Sequence, residues 1–214
     1  MITYGKNQYF KYSELSSVEK KIYFKSIYRF LGKLVLEYPG FSKWYNRLFT
    51  DNFDLNKDRE IIICESNYLI AGVSILKSDE HEKKICTLRV DKKFKRQGIG
   101  TKLIELSREW LEEDYPIITM HKMKQKEFSS ILNYYGFQLE QEQKHYYNIF
   151  STELVYNGIL PEKKLMFNKI ELLDIEELCR RFIQTDNFDF NKFLEECLAV
   201  WYKREYNKRI IMQY

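Results

Sequence analysis

Residues 90–104 read Val-Asp-Lys-Lys-Phe-Lys-Arg-Gln-Gly-Ile-Gly-Thr-Lys-Leu-Ile. A β-rich run enters a basic loop, passes Gly-x-Gly and continues into a helical pattern. Gly98 and Gly100 carry no side chain, so backbone N–H groups there can approach an anion closely. The first N–H groups of a helix have no partner inside the helix, and they lie at the positive end of its dipole. Lys95 and Arg96 add charge at the same place. The chemistry this arrangement suits is holding a pyrophosphate. Two rival phosphate motifs do not fit. A dinucleotide fingerprint needs a third glycine where Leu103 stands, and a P-loop needs Gly-Lys-Ser/Thr where the order is Gly100-Thr101-Lys102. The bland alternative is a tight strand-to-helix turn with no ligand.

The surrounding pattern supplies the elements that would position this loop. Ser16-Ser17-Val18-Glu19 is a capping box that opens a helix predicted over residues 17–38, ended by Pro39-Gly40. A shorter helix is predicted over 41–49 and a polar loop over 51–57. Residues 61–65 and 68–76 form a hairpin about Ser66-Asn67. A strand over 85–90 leads into the loop, and a helix follows over 98–113 with Ile99, Leu103, Leu106 and Trp110 on its apolar face. A strand at 116–120, a short helix at 127–135 stopped by Gly136, and strands at 137–139 and 146–155 complete the pattern. Beyond Asn157-Gly158 the character changes, and residues 172–183 and 191–206 read as helices. The expected organisation is an α/β (α+β) domain over 1–157, with a small helical C-terminal appendage over 158–214.

Motif and element order together resemble the GNAT N-acetyltransferases, whose acetyl-CoA motif is Gln/Arg-x-x-Gly-x-Gly/Ala after a strand ending in Val. Gly136-Phe137 stands where the family has its Gly-Phe pair. The resemblance spans roughly residues 15–157. It implies a mixed, mostly antiparallel central sheet flanked by helices, with acetyl-CoA as cosubstrate. It places Leu88, Arg89, Val90, Lys95, Arg96, Gln97, Gly98, Ile99, Gly100 and Thr101 against the cofactor. Lys95 stands at the motif's first position; it keeps the charge of Arg but not the planar fork. The family's usual general acid is a tyrosine four residues before the Gly of Gly-Phe, where this chain has Leu132. Tyr134 and Tyr135 are nearby but out of register. His121, after the 116–120 strand, falls near the family's acetyl position and has a side chain suited to proton transfer. Thr87 lies within the motif strand. His81 and Glu82 precede it and read as solvated loop charges. Catalytic candidates are therefore His121, Thr87, Tyr134 and Tyr135.

Composition narrows the rest. The chain has 214 residues, 44% hydrophobic and 31% charged, enough to bury a core. A net charge of +4 is mild, and basic and acidic residues interleave. Lys122, Lys124 and Lys126 read as solvated, so nucleic acid is compatible but not indicated. None of the four cysteines forms a C-x-x-C pair, and no metal site is expected. No apolar leader or membrane-length run is seen, so a cytoplasmic protein with reduced thiols and no membrane partner is expected. The acceptor would be an amine on a small molecule, a protein or an aminoacyl-tRNA. A homodimer is left open. The alternative from another class is a catalytically weak CoA-binding or interaction module, acting through a tail rich in aromatics such as Phe182, Phe188 and Trp201.

Overall fold

The computed structural model describes residues 2–4, 7–34, 38, 40–144, 146–147 and 152–161. The chain divides into two units, Met1–Lys163 and Lys164–Tyr214. The helices expected at 172–183 and 191–206 lie outside the described residues.

The first unit is built on one eight-stranded sheet. In chain order the strands are β1 (Ile2–Tyr4), β2 (Asn7–Lys11), β3 (Arg59–Ser66), β4 (Leu69–Ser78), β5 (Lys83–Val90), β6 (Ile117–His121), β7 (Leu139–Lys144) and β8 (Thr152–Tyr156). Their order across the sheet is β1-β2-β3-β4-β5-β6-β8-β7, and every pair is antiparallel except β5 with β6. The helices are α1 (Ser17–Leu31), α2 (Phe41–Asn46), α3 (Ile99–Leu111) and α4 (Gln125–Tyr134). The mixed, mostly antiparallel sheet flanked by helices is the expected architecture. β1 and β2 are additions to it. Their run is short and polar, and only Tyr9 of β2 is buried.

Local chemistry explains the boundaries. The Ser16 hydroxyl accepts from the Glu19 N–H and the Glu19 carboxylate accepts from the Ser16 N–H, which satisfies two donors at the start of α1. α1 ends at Leu31, where the Gly32 N–H bonds the Arg29 carbonyl three residues back; Leu34 is helical again, and the rest of the helix expected as far as 38 falls largely outside the described residues. The β3–β4 hairpin turns on Asn67 (φ 51°) and Tyr68 (φ 62°), two successive left-handed residues as a two-residue hairpin requires.

Two cores form on the two faces of the sheet. On one, Ile99, Leu103 and Leu111 of α3 and Leu132 of α4 pack over Ile62, Leu76, Ile85, Ile118 and Leu154. On the other, Ile27 and Leu31 of α1 and Phe41 and Tyr45 of α2 pack over Ile61, Ile63, Val73 and Ile75. α3 lies close on β4. A Cβ added at Gly72 would sit 2.9 Å from both Ile99 Cγ2 and Leu103 Cδ1. Beside it, the buried hydroxyls of Ser74 and Ser107 are 2.8 Å apart, and Ser107 also donates to the Leu103 carbonyl at 2.6 Å. The packing of α3 thus depends on a missing side chain in a neighbouring strand.

Gly72→Ala should therefore destabilise the protein by about 1–3 kcal/mol by overpacking. Chemical denaturation checks it; unchanged stability would mean that α3 does not sit this close to β4.

Candidate functional site

The site begins where two strands part. β5 and β6 share only the pairs Lys84↔Ile117 and Ile85↔Ile118. Beyond them β5 stays on β4 as far as Val90, while β6 stays on β8 through Thr119↔Val155, Met120↔Leu154 and His121↔Glu153. Residues 86–90 of β5 and 119–121 of β6 therefore flank an opening in the sheet. β5 also carries a bulge. Thr87 pairs Ile75 and Ile85 pairs Leu76, which leaves Cys86 as the extra residue. A bulge bends its strand and increases its twist.

At the outer end of β5 the chain enters the basic loop. The Asp91 N–H donates to the Ala71 carbonyl, and the Asp91 carboxylate accepts from the Lys93 N–H at 2.8 Å, which starts a short 3-10 turn over Lys92–Phe94. Arg96 (φ 62°) and Gly98 (φ 77°) are both left-handed. A non-glycine residue in that region is strained, a feature that clusters at ligand sites. Gly98 is the N-cap of α3, and no side chain caps the helix. The first intrahelical bond runs from the Lys102 N–H to the Gly98 carbonyl at 3.0 Å, so the N–H groups of Ile99, Gly100 and Thr101 precede the ladder. A Cβ on Gly100 would meet Val90 Cγ2 at 3.7 Å and Ile131 Cδ1 at 3.8 Å, ordinary contact in which alanine would also fit.

The expected cofactor residues divide by what they present. Leu88 and Val90 share a face with Ser74 and Gly72 and pack on the α3 side. Arg89 faces the other way, with its guanidinium carbon 5.9 Å from the Phe30 ring centroid of α1. Its side chain is thus turned away from Leu88 and Val90, and only its backbone is left for a cofactor. Ile99 is a core anchor, 1% exposed, so it offers only its N–H. Thr101 lies in the first turn of α3, and Gln97 reaches back to the Lys93 carbonyl at 3.4 Å. The Lys95 ammonium is ion-paired with Glu127 of α4. Arg96 is exposed with no ion-pair partner among the described residues.

The catalytic candidates do not come together. Tyr134 is 77% exposed. The Tyr135 hydroxyl donates to the Thr101 carbonyl at 3.4 Å and the Glu105 carboxylate at 3.2 Å, with Arg108 over its ring at 5.1 Å. Burial and the Glu105 charge push this phenol up to about 12. Both tyrosines fall away from the opening because a helix turns 100° per residue, and the in-register position, Leu132, is a core side chain. Thr87 and His121 remain at the opening. Thr87 shares the α1 face with Ile75. His121 Nδ1 accepts from the Met123 N–H at 3.2 Å, so the neutral ring carries its proton on Nε2. Glu82 is held by Lys77 at 2.8 Å in the preceding loop, and His81 is exposed there.

Sequence reasoning missed Glu153, Tyr147 and Tyr38. Glu153 sits opposite His121 and is fully buried. Tyr147 packs beside Val155 and approaches Thr119, Glu153 and Cys86. The Tyr38 ring meets Tyr147 edge-on at 5.1 Å. No local signal marks them, because they come from different loops and strands.

Comparison with known proteins settles the family. The sequence model of the acetyltransferase (GNAT) family matches residues 27–135. The chain belongs to that family. Among solved structures, a GNAT-family protein from Desulfovibrio desulfuricans aligns at TM-score 0.51 and 9% identity, over 70% of this chain and 96% of that one. The ribosomal-protein-S18-alanine N-acetyltransferase of Escherichia coli aligns at 0.49 and 13%, over 75% and 99%. A nourseothricin acetyltransferase aligns at 0.44 and 12%, over 48% of this chain; the chain spans 65% of that enzyme's length. No curated protein sequence matches significantly. Among the described residues of this GNAT chain, no helix is long and apolar enough to cross a membrane.

Glu127 competes with any anion for Lys95. Glu127→Gln should tighten acetyl-CoA several-fold, with the gain shrinking at high salt as exposed ion pairs do. Calorimetric titration at two salt concentrations checks it, and weaker binding would remove Lys95 from the cofactor loop.

Proposed function

We propose that this chain transfers an acetyl group from acetyl-CoA to a primary amine, using the opening between β5 and β6. One observation carries the reading. The uncapped N-terminus of α3, introduced by left-handed Arg96 and Gly98, stands directly after the strand edge left open beside β6. The N–H groups of Gly98, Ile99, Gly100 and Thr101 and the cations Lys95 and Arg96 would hold the pyrophosphate, and Gln97 would brace the turn. The pantetheine arm would run back along the open edge of β5. There the backbone at Leu88, Arg89 and Val90 is available to it and to the thioester carbonyl, whose developing negative charge fixed N–H groups stabilise.

The acceptor would approach from the α1 face, where Thr87 and His121 lie. His121 serves as a hydrogen-bond donor through Nε2 in this assignment. Tyr134 and Tyr135 have no catalytic role. The domain expected to end near 157 would run a few residues further, since Leu160 packs with Tyr146 and Val155, and the remainder up to 214 would be an appendage. Amines on small molecules, on proteins and on aminoacyl-tRNA are the acceptors to test. The second reading, a CoA-binding module without efficient transfer, draws on one fact: the family's tyrosine position is the buried Leu132.

Thermal unfolding with acetyl-CoA and with free CoA tests the cofactor site. Ligand at 100 times its Kd adds about 2.7 kcal/mol, which raises Tm by about 5–10 °C in a chain this long. The shift should vanish in Gly98→Glu, which puts a carboxylate and a strained backbone into the loop. No shift in the wild type would overturn the reading. A shift with no transfer to any amine would favour the second.

A further inference from the structure

We propose that the Tyr147 phenol supplies the proton, or the hydrogen bond, that the departing CoA sulfur needs, in place of the tyrosine missing from α4. This rests on the acetyltransferase reading. The argument begins with reach. From Val90 back to Cys86 is four residues of strand, roughly 13 Å at about 3.3 Å per residue. An extended pantetheine arm whose pyrophosphate lies at Gly98 therefore brings its sulfur to the inner end of the opening. That end is defined by the first residues beyond the last β5–β6 pair, Cys86 on β5 and Thr119 on β6.

Tyr147 stands at that point. Its oxygen hydrogen-bonds the Thr119 side chain, and Cys86 and Glu153 are within electrostatic reach. The ring is braced edge-on by Tyr38 at 5.1 Å and by Tyr146 at 4.8 Å. Two rings and the Thr119 bond thus hold the phenol at the parting of the strands. The phenol is also kept protonated. Burial first, then the Glu153 carboxylate and Tyr146, hold it well above its ordinary value, against the opposing bond from Thr119; Cys86 adds in the same direction. A group in that state can donate but cannot act as a base.

The step balances without a further reagent. The amine nitrogen attacks the thioester carbonyl carbon and the tetrahedral adduct forms. The C–S bond then breaks, and the sulfur takes the Tyr147 proton to leave as CoA thiol. The tyrosinate recovers the proton lost by the new amide nitrogen.

A binding comparison tests this without knowing the acceptor. Isothermal titration at pH 9 with CoA and with desulfo-CoA isolates the sulfur. The wild type should bind CoA about tenfold more tightly, as a hydrogen bond to a charged sulfur implies. In Tyr147→Phe, which keeps the ring and its packing, the ratio should fall to within twofold while desulfo-CoA binds as before. An equal ratio in the two proteins overturns the proposal and leaves the acetyltransferase reading intact. Failure of the wild type to bind either ligand overturns both. With any amine that the wild type acetylates, Tyr147→Phe should lower kcat by about 10² with KM for acetyl-CoA unchanged; a fall under threefold also overturns it.

Discussion

The structure turns on the short pairing of β5 with β6. Two residue pairs join them, and then each strand follows a different antiparallel neighbour, β4 on one side and β8 on the other. A continuous sheet would have satisfied the backbone of residues 86–90 from both edges and left nothing for a ligand. Parting the strands exposes a row of polar backbone groups in the middle of the sheet, where unpaired groups are costly. The bulge at Cys86 bends β5 at that level, and the two side-chain cores hold each half of the sheet from above and below. The cost of the gap is thus borne by packing elsewhere, and a bound cofactor can act as the missing strand.

The same parting fixes what α3 does. The helix must start at the outer end of the opening and return over β4. It can lie low on the sheet because Gly72 has no side chain and because Ser74 and Ser107 satisfy one another in the contact. Its first N–H groups then follow the open strand after one short basic loop. Lys92, Lys93 and Arg96 surround that end as exposed cations, while Lys95 is drawn across to Glu127. The loop is therefore attractive to an anion but partly self-neutralised before one arrives.

Much of this was legible in the sequence because it is local. Strand, basic loop, Gly-x-Gly and helix follow one another in a single stretch, and periodicity placed α3, α4 and the β3–β4 hairpin within a few residues. The capping box was exact in type and position. The errors are also physical. β2 was invisible because its burial depends on pairing with β3 and not on its own pattern. The helix expected over 17–38 is interrupted after Leu31, where Gly32 and Lys33 form a turn that periodicity alone does not show. Tyr134 and Tyr135 were attractive by proximity in sequence, yet a helix sends adjacent residues to different faces, so one is exposed and the other bonds to α3.

The inner end of the site was illegible for a different reason. Tyr38, Cys86, Thr119, Tyr147 and Glu153 come from five separate places in the chain, and only the parting of β5 and β6 brings them together. Their chemistry contrasts with that of the outer end. There, exposed cations and a helix N-terminus favour negative charge. Here, burial pushes the Cys86 thiol and the Tyr147 phenol up, so both stay protonated, even though Lys84, Arg59 and Lys77 pull Cys86 the other way. In the acetyltransferase reading, the polyanionic end of the cofactor would take the helix N-terminus and its neutral thioester the buried end. Reversing it would put phosphates against Glu153 and leave the cations of the loop unused. In that reading the direction of the cofactor would follow from burial and the helix N-terminus together, and the thioester would come to rest beside a protonated phenol.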